Sequence, residues 1–148
     1  MMRTGFMLVL LFLAGCSSDY LPFSGGALDG QNSPPPADWS VAASVKVVQL
    51  ETRATEPYSV NIWVVTAASQ LYVFAGANRA TWIEHIEQNP QVRLQMGDHI
   101  YALVATRVTD PQEFMGFARA WEAKYGNRPR NENVAETYLM RLRAPAAQ

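Results

Sequence analysis

Cys16 is the only cysteine in this chain of 148 residues, and its thiol is the strongest nucleophile the sequence offers. One cysteine allows no intramolecular disulfide, so the folded part must rest on its packed core. The two histidines, His85 and His99, stand far apart, and neither has a cysteine or a His-x-x-x-His partner. That spacing predicts no metal site. No Gly-x-Ser-x-Gly elbow is present, and Glu51, Glu56, Glu84 and Glu87 are scattered rather than paired for general acid/base work. Gly25-Gly26 lies in a polar stretch and opens neither a phosphate loop nor a dinucleotide fingerprint. On residue types alone, no catalytic residue is expected.

The surroundings of Cys16 give the thiol a different task. Residues 1–15 carry one charge, Arg3, then the apolar run Phe6–Leu13, which has the length and ending of a secretory signal. The run is too short to cross a bilayer, which takes about 20 apolar residues. Leu13-Ala14-Gly15-Cys16 matches the bacterial lipobox, in which the cysteine is alkylated with a diacylglyceryl group and becomes the new N-terminus. Acyl chains such as palmitate then tie the protein to a membrane, each buried methylene contributing about 0.8 kcal/mol. In a Gram-negative cell, Ser17 stands where an aspartate would retain the protein at the inner membrane. The expected location is therefore lipid-anchored in the cell envelope, at an outer membrane and facing the periplasm.

Net charge is −1 and the cations are dispersed, which excludes a nucleic-acid footprint. Residues 16–38, with Ser24-Gly25-Gly26 and Pro34-Pro35-Pro36, read as a flexible tether, and residues 39–148 as one domain. Within it, residues 45–53 read as a strand with a phase slip at Val47-Val48 that predicts a bulge. Residues 58–67 and 71–75 follow as a hairpin across Ala67–Gln70. A short helix carries Trp82, Ile83 and Ile86 and stops at Asn89-Pro90. Val92–Met96 and His99–Thr109 join through Gly97-Asp98. A second helix starts at Asp110-Pro111, with Glu113 as the capping-box partner, and ends at Gly126. Residues 137–143 form the last strand. Trp63 and Trp121 read as core or dimer interface, His85 as a surface or interface residue, and His99 as exposed. The fold class is α+β: a small antiparallel split β-barrel of about six strands with two helices.

Leu71–Arg79, Ala80-Thr81-Trp82, Asn89-Pro90-Gln91-Val92, Gly97 and Tyr101–Val108 with Asp110-Pro111 resemble the flavin-binding split-barrel superfamily. The pattern is similar to its deazaflavin-dependent nitroreductase-like and pyridoxamine-phosphate-oxidase-like members over residues 45–143, and Glu122–Gly126 extends it. The resemblance implies a homodimer with FMN or a deazaflavin in a groove near the interface. It places phosphate-facing loops at Thr52-Arg53 and Gly76–Arg79. Arg53 and Arg79 would supply forked donors, Asn78 an amide, Gly76 close backbone approach and Trp82 a wall of the cofactor site. Hydride transfer would belong to the cofactor.

The chain also departs from that pattern. Ala54-Thr55-Glu56-Pro57 replaces the glycine- and cation-rich turn after Arg53, and His85 stands where the family often has asparagine. Each candidate has a structural alternative: Arg53 and Arg79 as solvated charges, Trp82 as the short helix's core anchor. Two functions follow. One is a membrane-anchored lipoprotein whose split barrel binds a protein or small-molecule partner without cofactor or redox activity. The other is a lipid-tethered flavin- or deazaflavin-dependent reductase.

Overall fold

A computed structural model describes residues 25–53 and 55–147. The leader, Cys16 and the first part of the tether lie outside the described residues. Seven strands are present: β1 (Gln31–Ser33), β2 (Val47–Thr52), β3 (Tyr58–Ala67), β4 (Gln70–Phe74), β5 (Gln91–Met96), β6 (His99–Arg107) and β7 (Leu139–Arg143). Helices α1 (Thr81–Gln88) and α2 (Pro111–Tyr125) interrupt them. The strand order β6-β5-β2-β3-β4-β7 closes on itself through β6–β7, every pair antiparallel, and β1 adds to β6 in parallel. Among the described residues no helix is long and apolar enough to cross a membrane.

Alternation within the strands decides what fills the barrel. Val48 and Leu50 of β2, Ile62 and Val64 of β3, Val92 and Leu94 of β5 and Leu103 of β6 are buried in one cluster. Trp82, Ile83 and Ile86 of α1 join that cluster, as do Trp39 and Ala42 from a single 3-10 turn at Trp39–Ala42. A second cluster lies outside the barrel, where Phe114, Phe117, Ala118 and Trp121 of α2 cover Val65, Tyr72 and Leu139. Helix α2 begins with Asp110 accepting from the Gln112 amide and ends at Gly126 in the left-handed conformation, φ 82°. Lys124 donates to three carbonyl oxygens, Ala42 (3.2 Å), Val45 (2.5 Å) and Val64 (2.8 Å), and Tyr125 donates to Val64 and Lys46. The Glu122–Gly126 segment therefore bolts α2 to the barrel.

Several sequence expectations need correcting. No bulge occurs at Val47-Val48: the β2–β3 register runs unbroken from Val47↔Trp63 to Thr52↔Tyr58, and the slip marks where the strand begins. Glu113 closes no capping box, because its carboxylate is held by Arg141 (2.5 and 2.7 Å) and by the Tyr72 hydroxyl (2.9 Å). Trp63 is not core but 51% exposed: Trp121 and Tyr125 of α2 flank its indole and leave about half of it to solvent.

Part of the segment read as tether is built into the fold as a strap. Gly25 exchanges two backbone hydrogen bonds with Ser59 on β3 (2.8 and 3.0 Å), and Leu28 is buried. Further on, the Gln31 amide donates to Asp98 and β1 pairs with His99–Tyr101. Strand β4 pairs with β3 only over Val64–Ala67, and β7 with β6 only over Val104–Arg107. The strap takes up the two edges this leaves open. A Cβ on Gly30 would sit 2.8 Å from the Asp98 carbonyl, so only glycine passes there.

Candidate functional site

The outward residues of β2 and β5 meet in register, Glu51 opposite Arg93, and the strap lies beside them. Glu51 is 3% exposed, and both its carboxylate oxygens are used. Oε2 accepts from the Leu28 amide at 2.6 Å, and Oε1 accepts from Arg93 Nη1 at 3.0 Å. The carboxylate is thus both charge partner and anchor point of the strap.

Next to this pair runs a groove of about 270 Å³, lined by Thr52, Gln91, Arg93, Ala102, Val104 and Pro145 among others. Its walls are mostly apolar, with the Arg93 guanidinium and the Gln91 amide among the lining groups. Thr52 connects the groove to α1, since its hydroxyl lies 2.8 Å from Nδ1 of His85. His85 is buried, contrary to the surface position expected, and stands edge-on to Tyr58 at 5.0 Å. Burial, then the nearby charge of Arg53, hold its imidazole below the ordinary value, against an opposing pull from Glu84. His99 is exposed as expected and pairs with the Ser33 hydroxyl at 2.9 Å.

The residues singled out from sequence lie just after β2 and around the start of α1. Arg53, at φ 59°, reaches Glu56 at 3.3 Å and lies 5.6 Å from the Tyr58 ring centre, while its Nε is buried without a partner. Arg79 is bracketed by Glu84 at 3.7 Å and by Glu87 in a closer pair, both on α1. Gly76, φ 62°, accepts from the Tyr138 amide, and Asn78 is exposed. Trp82 is 6% exposed, inside the barrel cluster. Among the described residues, no three groups of the types that bind metals converge.

No family model and no curated protein matches the chain. Solved structures do. A NimC/NimA family protein from Clostridium acetobutylicum aligns at TM-score 0.52 and 13% identity, covering 66% of this chain and 73% of that one. An F420 reductase aligns at TM-score 0.52 and 18% identity, covering 76% and 96%. Atu2129 of Agrobacterium tumefaciens, of unknown function, aligns at TM-score 0.52 and 19% identity, covering 73% of this chain and 54% of that one. The fold is a split β-barrel like theirs.

In this split barrel both arginines expected around a cofactor phosphate are paired within the chain. Arg79 faces two carboxylates and Arg53 a third, and Trp82 is 6% exposed within the barrel cluster. A phosphate placed at Arg79 would meet Glu84 and Glu87, a repulsion that grows as water is excluded. Sequence reasoning missed the Glu51–Arg93 pair, the Thr52–His85 pair and the groove. The Thr52–His85 and Glu51–Arg93 pairs join positions 33 and 42 apart, and the groove draws on residues from Glu51 to Pro145. A signal for the first was present, since Glu51 and Arg93 both fall on outward positions of their strands.

Proposed function

We propose that this protein is an envelope lipoprotein, anchored through acyl chains on Cys16, whose split barrel serves as a binding module rather than a redox enzyme. The observation that carries the reading is the pairing of Arg79 with Glu84 and Glu87. The chain supplies its own anions where the resemblance would put a cofactor's. The dispersed charge and the acidic Glu56 after Arg53 point the same way. On this reading the groove beside Arg93 is the place for a small, largely apolar ligand with one polar end. Anchoring follows from Leu13-Ala14-Gly15-Cys16, and placement at the outer membrane from Ser17.

Two measurements test this. Intact-mass analysis of protein taken from membranes should give a chain that begins at Cys16 and carries acyl mass; a chain still starting at Met1 refutes the anchor. A visible spectrum recorded with added FMN or deazaflavin should show no shift. The groove's polar lining residues, Thr52, Gln91 and Arg93, favour one second reading, a tethered flavin- or deazaflavin-dependent reductase. A shifted absorbance with tight binding would establish that cofactor binding and end the first reading.

A further inference from the structure

Trp63 is the one tryptophan of four that meets solvent: it is 51% exposed, whereas Trp39, Trp82 and Trp121 are 4%, 6% and 9%. It is also held still. Its indole stacks on Tyr125 at 4.9 Å with 21° between the planes, and Trp121 lies beside it at 5.6 Å. Tyr125 is fixed in turn by its hydroxyl proton, shared between the Val64 and Lys46 carbonyls, and the neighbouring Lys124 by its three hydrogen bonds. An exposed ring with so little freedom left has already met the ordering cost of binding.

The register sets polar groups next to it. Asn61, two residues back on the same face of β3, is exposed, and Gln49 of β2 is its cross-strand partner. Among the described residues neither carboxamide has a side-chain hydrogen-bond partner, so each offers a donor pair and an acceptor to solvent. Val47, opposite Trp63, completes the floor.

We infer that this outer face of β2 and β3 is a saccharide-binding platform. A sugar ring presents a flat C–H face that packs on an indole, and a rim of paired hydroxyls or acetamides that matches a carboxamide's donor and acceptor. Half of one indole leaves on the order of 100 Å² of apolar surface, about the footprint of one sugar ring, whereas a protein interface of about 800 Å² per partner would have to extend well beyond it. The platform involves none of the residues lining the groove and stands whether or not Cys16 is acylated.

The test is tryptophan emission of the full chain titrated with N-acetylchitotriose and, separately, with cellotriose. Binding should shift the emission to the blue with either sugar or with both, at a Kd in the range of about 0.1 to 10 mM. Trp63→Ala should abolish the response. Asn61→Ala should weaken binding by about tenfold, the loss of roughly one hydrogen bond. Unchanged melting temperatures would show both variants folded, and sugar contacts mapped by saturation-transfer NMR give a readout independent of emission. No response to either sugar overturns the inference, as does a response that survives Trp63→Ala. Sedimentation showing a dimer that buries Trp63 also overturns it.

Discussion

Replacing Glu51 with alanine tests whether the strap belongs to the folded unit. The substitution removes the acceptor of the Leu28 amide at 2.6 Å and the partner of Arg93 at 3.0 Å. A hydrogen bond to a charged acceptor contributes about 1.5–3 kcal/mol, and the buried Leu28 amide would be left without its partner. Arg93 is 37% exposed, so its half of the pair is screened by water and adds roughly 0–1 kcal/mol. The sum is about 2–4 kcal/mol, a fall in melting temperature on the order of 10 °C for a domain of this size. Urea unfolding gives the global loss. Amide exchange at Gln31–Ser33 gives the local one, since β1 is held only by its pairing with β6 among the described strands. Glu51→Gln keeps one acceptor oxygen for Leu28 and should fall between wild type and alanine. If Glu51→Ala unfolds within about 0.5 kcal/mol of wild type, the size expected of an ordinary surface substitution, the strap is no structural element.

Three further outcomes follow from the same geometry. His85 is held below its unfolded pKa of about 6.5, so its contribution is fully present above that pH and is lost as pH falls toward the folded value. Unfolding free energy should therefore drop between pH 7 and 5, and His85→Gln should flatten that slope. Ala68 and Ser69 turn the β3–β4 hairpin at φ 47° and 62°, where L-residues are strained, so Ala68→Asn with Ser69→Gly should stabilise by about 1 kcal/mol. A lower melting temperature would contradict it. The Tyr72 phenol is pushed up to about 12, first by burial and then by its hydrogen bond to Glu113, so Glu113→Gln should bring its ultraviolet titration back toward 10. An unmoved titration would assign the whole shift to burial.

The elements were legible because each carries its own period and stop signals. Tyr58–Ala67 was read to the residue, and Asp110, Pro111 and Gly126 bracket α2 as their types dictate. Residues whose role is set by a distant partner were not legible. Glu113 has the spacing of a cap, yet Arg141 and Tyr72 take its carboxylate, because the barrel closes with β7 beside β4. His85 looks polar enough for solvent on a short helix, but α1 lies against β2 and β3 so that the ring meets Thr52 and Tyr58. The strap escaped notice for the opposite reason. Glycine and proline suggest a linker, while here Gly25 lies close on the Ser59 side chain and Gly30 on the Asp98 carbonyl.

That strap bears on the proposed anchoring. Read as tether from Cys16 to Asp38, the chain would let the barrel drift on the order of 25 Å from the membrane. With Gly25 bonded to Ser59, nine steps of chain separate Cys16 from the barrel. A flexible chain of that length would reach no more than about 30 Å, with a root-mean-square span of about 16 Å. A domain of this size has a radius of gyration of about 14 Å, so the reach is comparable to its own width. An anchored barrel could not turn freely at that distance. The β3 edge where the strap enters would stay toward the bilayer, and a partner would have to approach from the other sides. Ten Gly/Ser residues inserted before Gly25 should raise the capture rate of a bulky antibody against a tag at the C-terminus on intact vesicles. An unchanged rate would mean that the strap detaches when the protein is anchored.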